Sequence, residues 1–250
     1  MIPIGTIGQR LRRAVRLLPR ARYRRALLRG VGAGDQHEPV LRLLAPSLIV
    51  DVGANRGQFL LAALEACPGA RIHAVEPQPA ALARLRSWLD REPAADRARV
   101  VLHQVALADR IGMATLHVAA RDDNSSLLEP TEAQLALFPG TGIAGSLTVP
   151  LTRLDSLLTA AEIGPTALLK IDVQGAEDSV LAGAGALLSR FRWVYVECST
   201  RELYRGQRTW DAVAARLAGA GFVHAGDNNP VRDAAGVLVQ ADRLFARTGA

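Results

Sequence analysis

From Leu41 onward, short apolar runs alternate with segments whose apolar residues recur at helical spacing. That is the pattern of an α/β domain built on a largely parallel sheet. Leu48–Val52, Arg71–Val75 and Val100–Val105 read as the first three strands, with helices over Gly57–Ala66 and Pro79–Leu89 between them. Then the rhythm breaks. Met113–Ala119 reads as an additional strand, and the stretch that follows, "ARDDNSSLLEPTEAQLALFPGTGIAGS", is long and rich in turn formers. The alternation resumes with a strand at Leu147–Leu151, a helix over "TRLDSLLTAA" and a strand at Ala167–Val173 interrupted by Lys170 and Asp172. A helix over Ala176–Leu188, a strand at Trp193–Cys198 and a helix over Trp210–Ala220 come next, and Phe222–Ala225 with Arg243–Arg247 reads as a closing antiparallel pair. A connection longer than about 15 residues inside a compact domain is more often a binding element than filler. Arg121–Ser146 is therefore expected to be a lid inserted into a domain that spans residues 35–250.

Charge changes the picture only at one end. Residues 1–30 hold nine arginines and no acid, so a whole-chain charge of +6 leaves −3 for the remainder. Ile7, Leu11, Val15 and Leu18 keep helical spacing, and arginines fill the other face until Pro19. Residues 1–34 thus read as a basic helical arm. Three uses stay open: a stripe packed on the domain, an interfacial helix on an anionic membrane, or a nucleic-acid contact. The last has only Tyr23 for base stacking, and the net-acidic body argues against a nucleic-acid partner. Arginines interrupt every apolar core a secretory signal would need, and no stretch is long enough to span a bilayer. Cys67 and Cys198 have no ligand spacing, which points to a reducing cytoplasm, with a peripheral membrane position left open by the arm.

The candidate chemistry begins at "VDVGANRGQF", where the first strand runs into a glycine-bearing turn. In doubly wound sheets ligands sit beyond the carboxyl ends of the strands. Gly53 is expected to let the backbone approach a ligand, Gly57 to start the helix against the strand, and Asp51 to receive an ammonium group. The second strand ends in "VEP", where Glu76 can accept hydrogen bonds from both hydroxyls of a ribose. A nucleoside triphosphate loop would need a lysine that is not there. A nicotinamide cofactor would need G-x-G-x-x-G, whereas the spacing is G-x-x-x-G with Asn55 in place of the second glycine. An adenosyl group carrying an ammonium and no phosphate, as in S-adenosylmethionine, fits better. The nicotinamide oxidoreductase and a non-catalytic binding module remain the alternatives.

The set "VDVGANRGQF", "AVEPQP", "VALAD", "NSSLL", "VPLTRLDSLL" and "LLKIDVQGAEDSVLAGA" resembles the FkbM family of S-adenosylmethionine-dependent methyltransferases, over roughly Leu48 to Glu197. The resemblance implies a class I methyltransferase fold, that is, a Rossmann-like, doubly wound, mostly parallel seven-stranded sheet. It also implies O-methylation of hydroxyls on sugars of glycolipids and polysaccharides, or on polyketide-type natural products. The family often has Glu where this chain has Gln174. The arm and the segment after Thr200 lie outside the resemblance.

Methyl transfer from a sulfonium is an in-line displacement, largely a positioning task. A sugar hydroxyl is a poor nucleophile while protonated, so a base or a metal is a natural addition. Asp172 ends "LLKIDV" and would face the methyl group, Glu177 begins the next helix, and Glu197 ends "VYVE" on the neighbouring strand. These three are the candidate catalytic acids, and their convergence would suit a shared proton, a sugar or Mg²⁺. Each has a bland counterpart as a turn or helix-capping acid. Cofactor contacts are expected from Asp51, Gly53, Asn55, Gly57, Glu76 and Pro77. Gln104, Ala106 and Leu107, after the third strand, are expected at the adenine edge by analogy of fold. Asn124, Ser125 and Ser126 would contact acceptor or cofactor from the lid, against ordinary turn chemistry. Alternation places Lys170 and Asp172 on one side of their strand, so Lys170 is expected to pair with an acid. His103 lies within a strand and reads as a core or edge histidine; His37, His117 and His224 show no ligand spacing. The acceptor's identity and the oligomeric state are not written in the sequence.

Overall fold

The computed structural model describes residues 17–120 and 124–249. Its centre is a seven-stranded sheet in the order β3-β2-β1-β7-β8-β10-β9. The strands are β1 (Leu48–Val52), β2 (Arg71–Val75), β3 (Val100–His103), β7 (Ala167–Ile171), β8 (Trp193–Ser199), β9 (Phe222–Arg232) and β10 (Leu238–Arg247). β10 runs antiparallel to both β8 and β9, and the other neighbours are parallel. This is the class I methyltransferase architecture, a doubly wound, mostly parallel α/β sheet.

Every residue of β1 and of β7 is buried, as a strand covered on both faces requires. Successive side chains then feed opposite layers. Ile49, Ile72 and Ala74 pack with Leu60, Leu61 and Leu85 from the helices Gln58–Ala66 and Pro79–Leu89. Val50, Leu169 and Val196 pack on the other face with Val180 and Leu181 of the helix Glu177–Ala184 and Leu217 of the helix Trp210–Gly219.

Three further strands, β4 (Ala106–Leu107), β5 (Gly112–Ala119) and β6 (Ile143–Thr152), form a second sheet in the order β4-β6-β5. The extra strand read from the sequence is therefore half of a hairpin, and β6 starts at Ile143, inside the expected lid. Between the two lies a segment containing a short helix, Glu132–Leu137, whose N-cap Thr131 accepts from the Gln134 amide at 3.3 Å. Residues 121–123 lie outside the described residues.

The basic arm is answered in part. Ile7, Leu11 and Val15 lie outside the described residues. Two arginines of the helix Ala21–Leu27 turn to the body while Arg24 is exposed: Arg22 and Arg25 both pair with Glu92, at 3.0 Å each. Arg22 also pairs with Asp96, and Arg20 with Glu38 and Glu65. Tyr23, fully buried, donates its hydroxyl to Glu38. These arginines clamp the segment to the body. Among the described residues no helix is long and apolar enough to cross a membrane.

The second sheet meets the first core at Gly183, where an added Cβ would sit 1.9 Å from the Ala108 carbonyl oxygen. Gly183→Ala is expected to lower stability in urea-induced unfolding by about 1–3 kcal/mol, the usual cost of overpacking. Gly145→Ala, in β6 with no atom within 4 Å of the added Cβ, should leave the midpoint nearly unmoved. Equal effects of the two changes would contradict this packing.

Candidate functional site

The carboxyl ends of β1, β2 and β7 open into a cavity of about 230 Å³. Its floor is a buried ion pair. Lys170 Nζ lies 2.9 Å from Asp51 Oδ1 on the adjacent strand, 3.1 Å from the Gly53 carbonyl and 3.8 Å from Asp172 Oδ2. Burial pushes the Asp51 carboxyl up even beside Lys170, and alone it would push the Lys170 ammonium down. At this separation the carboxylates outweigh burial, and Lys170 is held charged above its ordinary range. The expected structural pairing of Lys170 is observed. The expected role of Asp51 is not: its side chain is wholly buried and does not line the cavity, so the ammonium it faces is that of Lys170.

The two glycines take the places expected, Gly53 at the cavity and Gly57 as the residue that opens the helix Gln58–Ala66. A Cβ on Gly53 would lie 1.8 Å from the Asp172 carbonyl oxygen, and φ there is +79°. Gly53 lines the cavity, but its smallness serves the crossing of two chain segments. Gly57, at φ +90°, packs against the Trp88 ring and does not line the cavity. Asn55 does line it, itself left-handed at φ 48°, where a short polar side chain is the tolerated alternative to glycine.

One end of the cavity is built around Glu76. The Asn55 amide donates to Oε2 and the Gln78 amide to Oε1, each at 2.8 Å. Each oxygen keeps a lone pair for a further donor. Burial pushes this carboxyl up to about 7 despite the two amides. Pro77, Val105, Ala106 and Leu107 give this end apolar walls. Gln104 is exposed and does not contribute; its neighbour Val105 does. A carboxylate with two free acceptor sites beside apolar walls suits the ribose and purine of an adenosyl group.

At the other end Asp172 and Gln174 line the cavity with His37, Gln58 and Phe59. Asp172 keeps about a third of its side chain exposed. Glu177 is not beside it in the cavity. It is buried, and its Oε1 accepts from the Gly175 amide at 2.9 Å and the Val173 amide at 3.3 Å. It fixes the turn after β7, and burial pushes it up to about 7. Glu197 does not line the cavity either. It reaches the site through Gln174, whose Nε2 donates to Glu197 Oε2 at 3.0 Å and to Asp172 Oδ1 at 2.9 Å. Burial, with Asp172 and Asp242 nearby, holds the Glu197 carboxyl well above its ordinary range.

The expectation of a Mg²⁺ site among these acids does not fit the donor set. Amide hydrogens of Gln174 point at both carboxylates, where a cation would have to sit. Among the described residues no three His, Cys, Asp or Glu side chains are grouped to hold a metal ion.

Ser125 and Ser126 line the cavity from the 124–142 segment, and Asn124 lies behind them, donating to Gln174 Oε1 at 3.1 Å. Sequence reasoning missed His37 and Gln58. His37 has no motif around it, and only folding carries it to Tyr195, whose hydroxyl is 3.3 Å from Nδ1. Gln58 stands next to the glycine turn, and that position was the signal available.

A family model described as the methyltransferase FkbM domain matches residues 51–223, extending past the Glu197 limit read from motifs. The 2-O-methyltransferase NoeI of Sinorhizobium fredii is 32% identical over 179 residues, which cover 68% of this chain and 72% of that protein. The 31-O-demethyl-FK506 methyltransferase FkbM of Streptomyces tacrolimicus is 30% identical over 206 residues, covering 74% and 75%. The crystal structure of a methyltransferase FkbM from Methylobacillus flagellatus KT shares the fold, with a TM-score of 0.52 at 16% identity. The likeness covers 81% of this chain but 44% of that one.

Lys170→Met would leave Asp51 buried without its counter-charge and is expected to cost about 3–5 kcal/mol in denaturant unfolding. The double variant Asp51→Asn/Lys170→Met should recover most of that loss. A double variant as unstable as the single one would show that the pair is not what holds these strand ends.

Proposed function

The chain belongs to the FkbM family of S-adenosylmethionine-dependent methyltransferases, and from that premise we propose that it methylates a hydroxyl of a sugar-containing or polyketide-type acceptor. The observation that carries the reading is Glu76, fixed by two backbone amides at one end of a cavity whose other end presents Asp172. The relatives named as O-methyltransferases point to oxygen as the acceptor atom.

S-adenosylmethionine, when bound, supplies a methyl group on a positively charged sulfur that leaves readily. The chain's own part is to bind, orient and exclude water. In this reading Glu76 accepts from the ribose hydroxyls, while Pro77, Val105, Ala106 and Leu107 enclose the base. Gly53 and Asn55 border the ligand between the two ends. Asp172 lies on the acceptor side, where its carboxylate can take the hydroxyl's hydrogen bond and its proton as the oxygen attacks. Glu197 supports it through Gln174, and Ser125 and Ser126 border the same space.

The arm bears on location. Arg20, Arg22 and Arg25 are paired with carboxylates of the body, so contact with an anionic membrane surface would draw on the exposed Arg24 and on the arginines of residues 1–16, which lie outside the described residues. Cys67 and Cys198 are buried and free, which accords with a reducing compartment.

S-adenosylhomocysteine is expected to bind in calorimetric titration, and Glu76→Ala to weaken it roughly 10- to 100-fold, the worth of hydrogen bonds to a charged group. Because the ionised form of Glu76 does the binding and burial lifts that group to about 7, affinity should fall as pH drops below 7. Glu76→Gln should flatten that profile. Absence of binding to the unaltered chain would overturn the proposed function.

A further inference from the structure

Gln174 makes more bonds at the site than any acid around it. It sits in the turn after β7 with φ 56°, a left-handed conformation uncommon for a side chain of this kind. A primary amide offers two N–H donors and an oxygen with two lone pairs. All four are used, on four separate parts of the chain. Nε2 donates to Asp172 in the same turn at 2.9 Å and to Glu197 on β8 at 3.0 Å. Oε1 accepts from Asn124 in the 124–142 segment at 3.1 Å and from the Tyr204 hydroxyl at 2.9 Å. Its backbone carbonyl accepts from Ser126 Oγ at 2.6 Å. The orientation of the amide is not arbitrary, since two carboxylates can only face its nitrogen.

The surroundings explain what this arrangement accomplishes. Facing the amide are Asp172 from its own turn, Glu197 from β8 and Tyr204 from the segment after it, while Lys170 of β7 lies 3.8 Å from Asp172. Asp242 pairs across from Glu197 on β10, and Glu177 holds the turn from below. The carboxylates outnumber the single lysine, so Asp172 and Glu197 need a proton, a cation or neutral donors between them. Gln174 provides neutral donors. The same side chain is tied to the flanking segments, where the Gln134 amide reaches Tyr204 at 3.3 Å and the Thr131 amide reaches the Leu203 carbonyl at 2.8 Å.

We propose that Gln174 is the positioning residue of this site, its amide pairing Asp172 with Glu197 and latching the 124–137 segment and Tyr204 over them. The proposal rests on the proposed function only in taking the space beside Asp172 as the acceptor side.

Gln174→Glu changes one amide nitrogen to oxygen and keeps the shape, so a purely steric role would survive it. If the amide positions the two acids, the carboxyl introduced in its place meets both of them, and its folded pKa rises above an unfolded value of about 4.3. Stability is then lost as pH rises through that window. The thermal midpoint of the variant should fall below that of the unaltered chain by roughly 2–4 °C at pH 8, with the gap closing toward pH 4–5. Gln174→Glu/Glu197→Gln restores the charge count and should recover most of the midpoint at pH 8. It also carries the comparison if the single variant fails to fold there. In Gln174→Ala, amide hydrogen exchange over Glu132–Leu137 should quicken about tenfold or more, while β1 and β7 keep their protection. A pH-independent offset for Gln174→Glu, or unchanged exchange over Glu132–Leu137, would overturn the proposal. None of these readouts requires the cofactor, so failure of S-adenosylhomocysteine to bind would count against the proposed function and leave this test intact.

Discussion

The buried pair of Asp51 and Lys170 is the constraint on which the carboxyl edge of the sheet depends. Two adjacent parallel strands place a carboxyl and an ammonium at the same level, 2.9 Å apart and away from water. The ammonium also binds the carbonyls of Val52 and Gly53, at 3.4 and 3.1 Å. That fixes the glycine turn as it leaves β1. The turn in turn holds the Asn55 amide on Glu76, and the crossing of Gly53 over Asp172 sets where β7 ends. The Glu76 end and the Asp172 end of the cavity are therefore positioned by one interaction beneath both.

Much of this was legible in the sequence. The central strands β1, β2 and β7 are apolar runs bounded by turn formers, and such runs hardly fit another element. Glu76 was legible because a short strand places its last residue at the sheet edge whatever lies around it. Alternation along β7 put Lys170 and Asp172 on one side, which was enough to expect a pairing. It did not name the partner as Asp51, because that depends on the register between β1 and β7. Without that register, Asp51 reads as an exposed receptor for a ligand.

What remained hidden depends on contacts between distant segments. Glu177 and Asp172 are equivalent as letters, yet one is buried under two turn amides and the other faces the cavity. Gln174 reads as a departure from a motif, and its importance comes from Glu197, Asn124 and Tyr204 arriving from three other places. His37 belongs to no motif, and it meets Tyr195 only because the segment before β1 folds over the sheet face. Arg20, Arg22 and Arg25 read only as part of a basic arm until the acids at Glu65, Glu92 and Asp96 are brought beneath them.

The central claim is that this cavity holds an adenosyl cofactor with its ribose on Glu76 and its reactive end toward Asp172. A crystal structure of the chain with S-adenosylhomocysteine tests it most directly. The expected result is both ribose oxygens within hydrogen-bond distance of Glu76, about 2.5–3.0 Å, with the sulfur on the Asp172 side. A ribose held by other residues, or a ligand bound outside this cavity, would contradict the account.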